Sequence, residues 1–291
     1  MLQQTTVATV ETRFHLWMTL FPSIHDLANA PEEAVMTAWQ GLGYYARARR
    51  LQAAARMIVQ YHAGVVPKNQ GELLALPGIG EYTASAILAF AYNQQAVVLD
   101  TNISRVIARW SNLTIPLDTA AGKKSLIEAA LPFFSHNQSR KIAAALMDLG
   151  AMICIARTPH CSDCPLQASC RAETPESLPL KSPRRVTTKR TEHRAWIVKK
   201  KQLFLELSLG PLWQGLWILP RLTTQPSGRC IAEIIYPITR YRVTMKLYPL
   251  SKAPPTLMLK GFYAEELEGI PLPSPHRRAI AATGFLRHTP H

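Results

Sequence analysis

The hydrophobic period of this chain changes once, and that change limits its possible folds more than any other feature. From Met1 to about Ala151, apolar residues recur at three- and four-residue spacing, as in Glu32–Leu42, Arg47–Tyr61, Glu81–Tyr92 and Ser139–Ala151. That is the period of helices with one buried face. Pro22, Pro31, Pro67, Pro77, Pro116 and Pro132 punctuate the segments, as helix starts and turns require. After about residue 195 the texture shortens to alternation with β-branched residues. Ala195–Val198, Leu203–Leu207, Ile234–Ile238 and Tyr241–Tyr248 are predicted strands, and Ser274–Ala282 a closing helix. Residues 172–194 are rich in proline, basic residues and threonine with almost no apolar period, which predicts a linker. The expectation is a multidomain chain: an all-α domain over 1–171 and a smaller α/β domain over 195–286. At 291 residues there is enough chain for two cores.

The net charge of +14 suits a polyanionic partner, because lysines and arginines that neutralise phosphates release counterions. An acidic membrane surface or plain solubility could use the same charge. No stretch approaches the roughly 18 consecutive apolar residues that span a bilayer, and no basic-then-apolar leader opens the sequence. A soluble intracellular protein without a membrane partner is expected.

The sharpest local motif is Leu76-Pro77-Gly78-Ile79-Gly80-Glu81-Tyr82-Thr83-Ala84. Gly78 and Gly80 flank an apolar residue and permit a tight hairpin, where amides at a helix N-terminus can approach a phosphate without obstruction by Cβ. A plain helix–turn–helix would also use glycine in its turn. The complete string, with Asp100 about one helix further on, favours the DNA-gripping hairpin.

Cys154, Cys161, Cys164 and Cys170 lie in one short run, whereas Cys230 stands alone and reads as an ordinary thiol. In a reducing compartment such a cluster reads as a metal site before disulfides. Structural zinc also accepts four cysteines, usually as paired C-x₂-C hooks; here there is a single such hook.

The hairpin, followed by Val98-Leu99-Asp100-Thr101-Asn102-Ile103-Ser104-Arg105-Val106, resembles the helix-hairpin-helix glycosylase superfamily. Within it, Met1-Leu2-Gln3-Gln4-Thr5 and Gly41-Leu42-Gly43-Tyr44-Tyr45-Ala46-Arg47 are similar to the adenine DNA glycosylase branch, which excises adenine mispaired with 8-oxoguanine. The resemblance implies double-stranded DNA carrying adenine opposite 8-oxoguanine or guanine as partner, and a monomer in the bacterial cytoplasm, at the nucleoid. It gives Asp100 the part of stabilising an oxocarbenium-like sugar, which a nearby carboxylate does well in a low-dielectric pocket, and has Asn102 order the site. Read alone, Asp100 could simply cap a helix. Tyr82 stands where bifunctional relatives carry a Schiff-base lysine, so a monofunctional hydrolase is implied.

Base extrusion leaves a gap in the stack. The resemblance makes Gln4 and Tyr44 the wedges and puts Thr5 and Leu42 near the oxidised guanine; alternatively, Tyr44 and Tyr45 are core aromatics. The cysteine spacing looks like the [4Fe–4S] loop of this superfamily, with Arg157 and Arg171 turned toward the DNA backbone. The strings Gly210-Pro211-Leu212-Trp213-Gln214-Gly215-Leu216-Trp217-Ile218-Leu219-Pro220 and Pro271-Leu272-Pro273-Ser274-Pro275-His276-Arg277-Arg278 resemble the family's Nudix-like recognition domain. There Thr239-Arg240-Tyr241 replaces the family's Phe-Ser-His. Thr239 keeps a hydroxyl for the lesion, Tyr241 follows it, and Trp213 and Trp217 could be core. No glycine-to-paired-glutamate helix is present, so nucleotide hydrolysis is not expected.

The family's general acid is a glutamate in a Trp-x-Ser-Glu string two residues before Met1. The resemblance therefore implies a truncated or misassigned start and a chain that is slow or inactive in excision as given. The rival readings are a thymine glycosylase for G·T mismatches and a non-catalytic lesion-binding relative.

Overall fold

The computed structural model describes residues 1, 5, 7–134, 138–183, 186–251 and 259–287. Its helices are α1 (Val7–Leu20), α2 (Ile24–Asn29), α3 (Glu32–Ala38), α4 (Ala46–Tyr61), α5 (Gln70–Ala75), α6 (Glu81–Ala86), α7 (Thr101–Trp110), α8 (Ala120–Ala130), α9 (Ser139–Met152) and α10 (Ser274–Ala282). The predicted closing helix coincides with α10. A π-helical stretch, Ile87–Ala91, extends α6. The strands are β1 (Thr188–Trp196), β2 (Val198–Lys199), β3 (Gln202–Leu207), β4 (Trp217–Ile218), β5 (Arg221–Leu222), β6 (Ala232–Ile238), β7 (Tyr241–Pro249) and β8 (Leu259–Phe262). Among the described residues, no helix is long and apolar enough to cross a membrane.

The residues form two compact units: Met1–Gly64 with Arg185–His291, and Val65–Arg184. This division departs from the expected 1–171 and 195–286. In the first unit, α1–α4 share one core with the strands: Trp17, Phe21, Trp39 and Tyr45 belong to the same buried cluster as Leu203, Leu216, Met245 and Ile280. Tyr45 is buried, and its hydroxyl donates to Leu272 O at 3.2 Å. Gln52, also buried, donates from Nε2 to Leu27 O at 3.2 Å and Ala30 O at 2.7 Å, which fixes α2 against α4. The apolar spacing that predicts these helices is silent about which neighbour covers them.

One sheet of this unit has strand order β5-β1-β7-β6, and the second has β2-β3-β4 with β8 also paired to β3. β1 runs parallel to β7 over Thr188–Trp196, so residues 188–194 belong to the sheet and not to the expected linker. The reason is visible in the burial: Thr188–Thr191 are all exposed, so their side chains carry no apolar alternation. Backbone pairing alone makes them a strand.

A buried polar thread crosses this core. His276 is fully buried; its Nδ1 accepts from Leu219 N–H at 3.0 Å, and its ring meets Trp213 edge-to-face at 4.6 Å. Trp213 is thus a core residue. Burial first, and then the neighbouring Arg194, hold the His276 pKa well below 6.5. The unfolded chain takes up this proton near pH 6.5, but the folded chain does not. The contribution is complete above that pH and is lost as pH falls below it, by up to about 1.4 kcal/mol per pH unit. Thermal melting should show the loss between pH 7 and pH 5, and His276→Gln should flatten that dependence. An equal slope in the variant would assign the acid sensitivity elsewhere.

Candidate functional site

The second unit contains the hairpin. Asn69 caps α5, its Oδ1 accepting from Gly71 N at 2.8 Å and Glu72 N at 3.3 Å. The chain then turns with Ile79 N–H donating to Leu76 O at 3.2 Å. Gly78 takes φ +82°, a left-handed conformation that favours glycine. Gly80 differs: it is the N-cap of α6 with φ −101°, and a Cβ there would meet nothing within 4 Å. Its value is the open approach it leaves to the first amides of the helix.

Asp100 is the N-cap of α7, its Oδ1 accepting from Ile103 N–H at 2.6 Å. Asp100 therefore caps the helix, and the bond fixes the orientation of its carboxylate. Tyr82 lies on α6 and is 40% exposed. Its phenol is pushed above 10, first by burial and second by the charge of Asp100. The tyrosine is held protonated within the field of the carboxylate, and it has no amine to attack a sugar.

Asn102 turns toward α9. A Cβ on Gly150 would come within 2.7 Å of Asn102 Cβ, so α7 and α9 touch through this glycine. Asn102 Oδ1 accepts from Arg105 Nη2 at 3.0 Å, and the same guanidinium donates to Gly150 O at 2.6 Å and Cys154 O at 2.8 Å. Arg109, 1% exposed, donates to Leu178 O (3.1 Å), Ile155 O (2.7 Å), Ala156 O (2.9 Å) and Cys154 Sγ (3.4 Å). Sequence reading missed both arginines as organisers of the site. The available signal was Arg109 falling among the buried positions Ile103, Val106 and Ile107 of one helix.

The helix that begins at Asp100 thus ends by holding the cysteine loop. Cys154, Cys161, Cys164 and Cys170 all line one cavity of about 320 Å³, together with Arg109 and His160. The Cys161 thiol is pushed up, first by desolvation and then by charge on Cys154, Cys164 and Cys170. Among the described residues, no group of three or more His, Cys, Asp or Glu converges closely enough to hold a single metal ion. Arg157 and Arg171 are exposed, and Cys230 Sγ is engaged with Ala232 O at 3.1 Å.

The first unit carries the remaining predicted residues. Tyr44 is 61% exposed with φ +46°, whereas Tyr45 next to it is buried. Of the two, Tyr45 alone is a core aromatic. Leu42 is 3% exposed, and its side chain completes the core under the loop. Its carbonyl accepts from Thr5 Oγ1 at 3.2 Å and from Arg47 Nη2 at 2.9 Å. The Arg47 guanidinium also lies over the rings of Trp39 and Tyr44, at 5.3 Å and 5.8 Å. Arg47 thereby shapes the loop that presents Tyr44. Gln4 lies outside the described residues. Thr239 and Arg240 form the exposed turn between β6 and β7, with Tyr241 opening β7. Trp217 is half-buried against Phe262 at 4.8 Å.

The family model described as HhH-GPD superfamily base excision DNA repair protein matches residues 1–125, the stretch that holds the hairpin and the capping aspartate. The chain is 35% identical over 234 residues to the adenine DNA glycosylase of Buchnera aphidicola subsp. Baizongia pistaciae, covering 77% of this chain and 65% of that one. It is 39% identical over 173 residues to the human adenine DNA glycosylase, covering 59% of this chain and 32% of that one. The chain thus spans under two thirds of the length of these relatives. Its fold is similar to a solved thermostable thymine-DNA glycosylase, with TM-score 0.51 and 26% identity over 58% of this chain and 78% of that one.

Proposed function

We propose that this protein is a monofunctional glycosylase that hydrolyses the N-glycosidic bond of adenine opposite 8-oxoguanine or guanine in duplex DNA. The observation that carries this reading is the arrangement of Asp100 and Tyr82 in one unit. A carboxylate fixed by its cap can stabilise a cationic sugar, and a phenol kept protonated stands where a strand-cleaving enzyme needs an amine. The hairpin amides around Gly78–Gly80 grip the backbone, and Tyr44 fills the stack when the base leaves. Residues 195–286 serve as a Nudix-like recognition domain. The similarity to adenine-removing relatives over both halves of the chain favours this reading over the thymine enzyme.

The cysteine loop fits a [4Fe–4S] cluster. Four thiols line one cavity of about 320 Å³, and their C-x₆-C-x₂-C-x₅-C spacing, with a single C-x₂-C hook, supports a polyatomic cluster over a zinc ion held by paired hooks. Cys154, Cys161, Cys164 and Cys170 would hold it, and bound there it supplies a rigid cationic centre for the loop. Arg105 and Arg109 carry that rigidity into α7.

Single-turnover assays on duplexes with adenine opposite 8-oxoguanine test the activity. Free adenine should appear, the strand should break only after alkali, and borohydride should trap no covalent complex. Thymine release from a G·T duplex without adenine release would replace the reading by its rival. Trapping that disappears in Tyr82→Phe would overturn the monofunctional assignment.

A further inference from the structure

One cluster of the first unit is not used by the chemistry above. Arg190 of β1 places its guanidinium 3.6 Å from the centre of the Tyr241 ring. Arg240 reaches the same residue, with Nη2 donating to the Tyr241 hydroxyl at 3.0 Å and its guanidinium 5.1 Å from the ring centre. Both arginines are exposed. Among the described residues, neither forms an ion pair with a carboxylate: Glu192 is engaged by Arg194 and Glu233 by Lys246. Two cations therefore converge on one neutral ring, and the ring's quadrupole offsets their repulsion in part.

The arrangement is built rather than loose. Ile238 and Tyr241 are paired across a two-residue turn in which Thr239 has φ +48°, a conformation that costs on the order of 1 kcal/mol for a β-branched residue. Thr188 N–H donates to Arg240 O at 3.0 Å, so the start of β1, and Arg190 with it, is tied to the same turn. Each guanidinium has five N–H donors in a planar fork, and the tyrosine accepts one of them from Arg240. Among the described residues the remaining donors have no hydrogen-bond partner, and both side chains are exposed.

We propose that Arg190 and Arg240, spaced by the Tyr241 ring, form an anion clamp for a phosphodiester group of duplex DNA. The two arginines then read backbone charge and not base identity. The proposal rests on DNA being the partner, as argued above. A phosphate oxyanion matches the bidentate fork of arginine, and its charge removes the repulsion that the free cluster retains.

The test is anisotropy of the full chain with duplex DNA over a salt series, using fully paired and adenine·8-oxoguanine duplexes. Arg190→Gln with Arg240→Gln should weaken binding to both duplexes about tenfold and lower the salt slope by about 0.9 for the one phosphate lost. The ratio between the two duplexes should stay fixed. Both residues are exposed, so the melting temperature should not move. Lys199→Gln with Lys201→Gln, which removes the same net charge elsewhere in this unit, should leave the slope intact. An equal fall in that control, or an unchanged slope in the arginine variant, overturns the clamp. A changed duplex ratio at constant slope also overturns it, since the arginines would then read the base. Inorganic phosphate at matched ionic strength should not displace DNA; displacement confined to the unsubstituted protein would assign the site to free phosphate instead. A protein that binds both duplexes equally and releases no adenine contradicts the proposed function, while the slope still decides the clamp.

Discussion

Asp100→Asn is expected to slow adenine release by about 10²–10³-fold while leaving the fold nearly untouched. Asparagine caps a helix as well as aspartate does, so the bond from Ile103 N–H, 2.6 Å in the parent, survives the substitution. What is removed is the negative charge. Asp100→Ala loses both functions and should cost about 1 kcal/mol of stability in addition. A second readout separates the charge from the cap. The charge of Asp100 is the second cause of the raised Tyr82 pKa, so in the asparagine variant this phenol should titrate closer to 10, with burial still holding it above. Asparagine turning over at the parent rate would remove Asp100 from the chemistry and leave it as a cap.

The second large effect is expected at Arg109. Anaerobically purified protein should contain about four irons and broad thiolate-to-iron absorption, without stoichiometric zinc. Arg109→Met should destabilise the protein by about 3–5 kcal/mol and lower its iron content, because the buried Leu178 O and the partly buried Ile155 O and Ala156 O bonds lose their donor. Chemical denaturation and iron assay read the two effects on the same samples. A protein with zinc and no iron would end the cluster assignment. A methionine variant as stable as the parent would show that the loop is held without this arginine.

These two residues also show how far the sequence reaches. Asp100 was legible because its neighbours are local: the hairpin string precedes it by one helix, and its capping bond spans three residues. Arg109 was not, because its partners lie 45 to 69 positions away in the chain. The same contrast separates Tyr44 from Leu42. Both sit in one glycine-rich string, yet one is exposed and the other completes a core built from the first four helices and the sheets. Tyr44 and the buried Tyr45 beside it are the same residue type, so only the surrounding elements decide which side chain is covered.

Strand β1 carries the lesson further. Its first four residues are threonines and cations with no apolar face, and its partner β7 lies some fifty residues downstream. Parallel pairing is a long-range backbone interaction, so no local pattern announces it. The grouping of Met1–Gly64 with Arg185–His291 has the same origin.

By itself the sequence determined what depends on neighbours within about one helix: the helical period, the hairpin with Gly78 in its left-handed turn, the capping aspartate, the cysteine spacing and the bounds of α10. The tertiary structure alone decided which faces are covered, which arginines are buried, and that Arg190 and Arg240 meet over one tyrosine. Propensities, caps and turns are short-range terms written in consecutive residues, whereas burial and charge clustering are set by segments that the chain brings together only on folding.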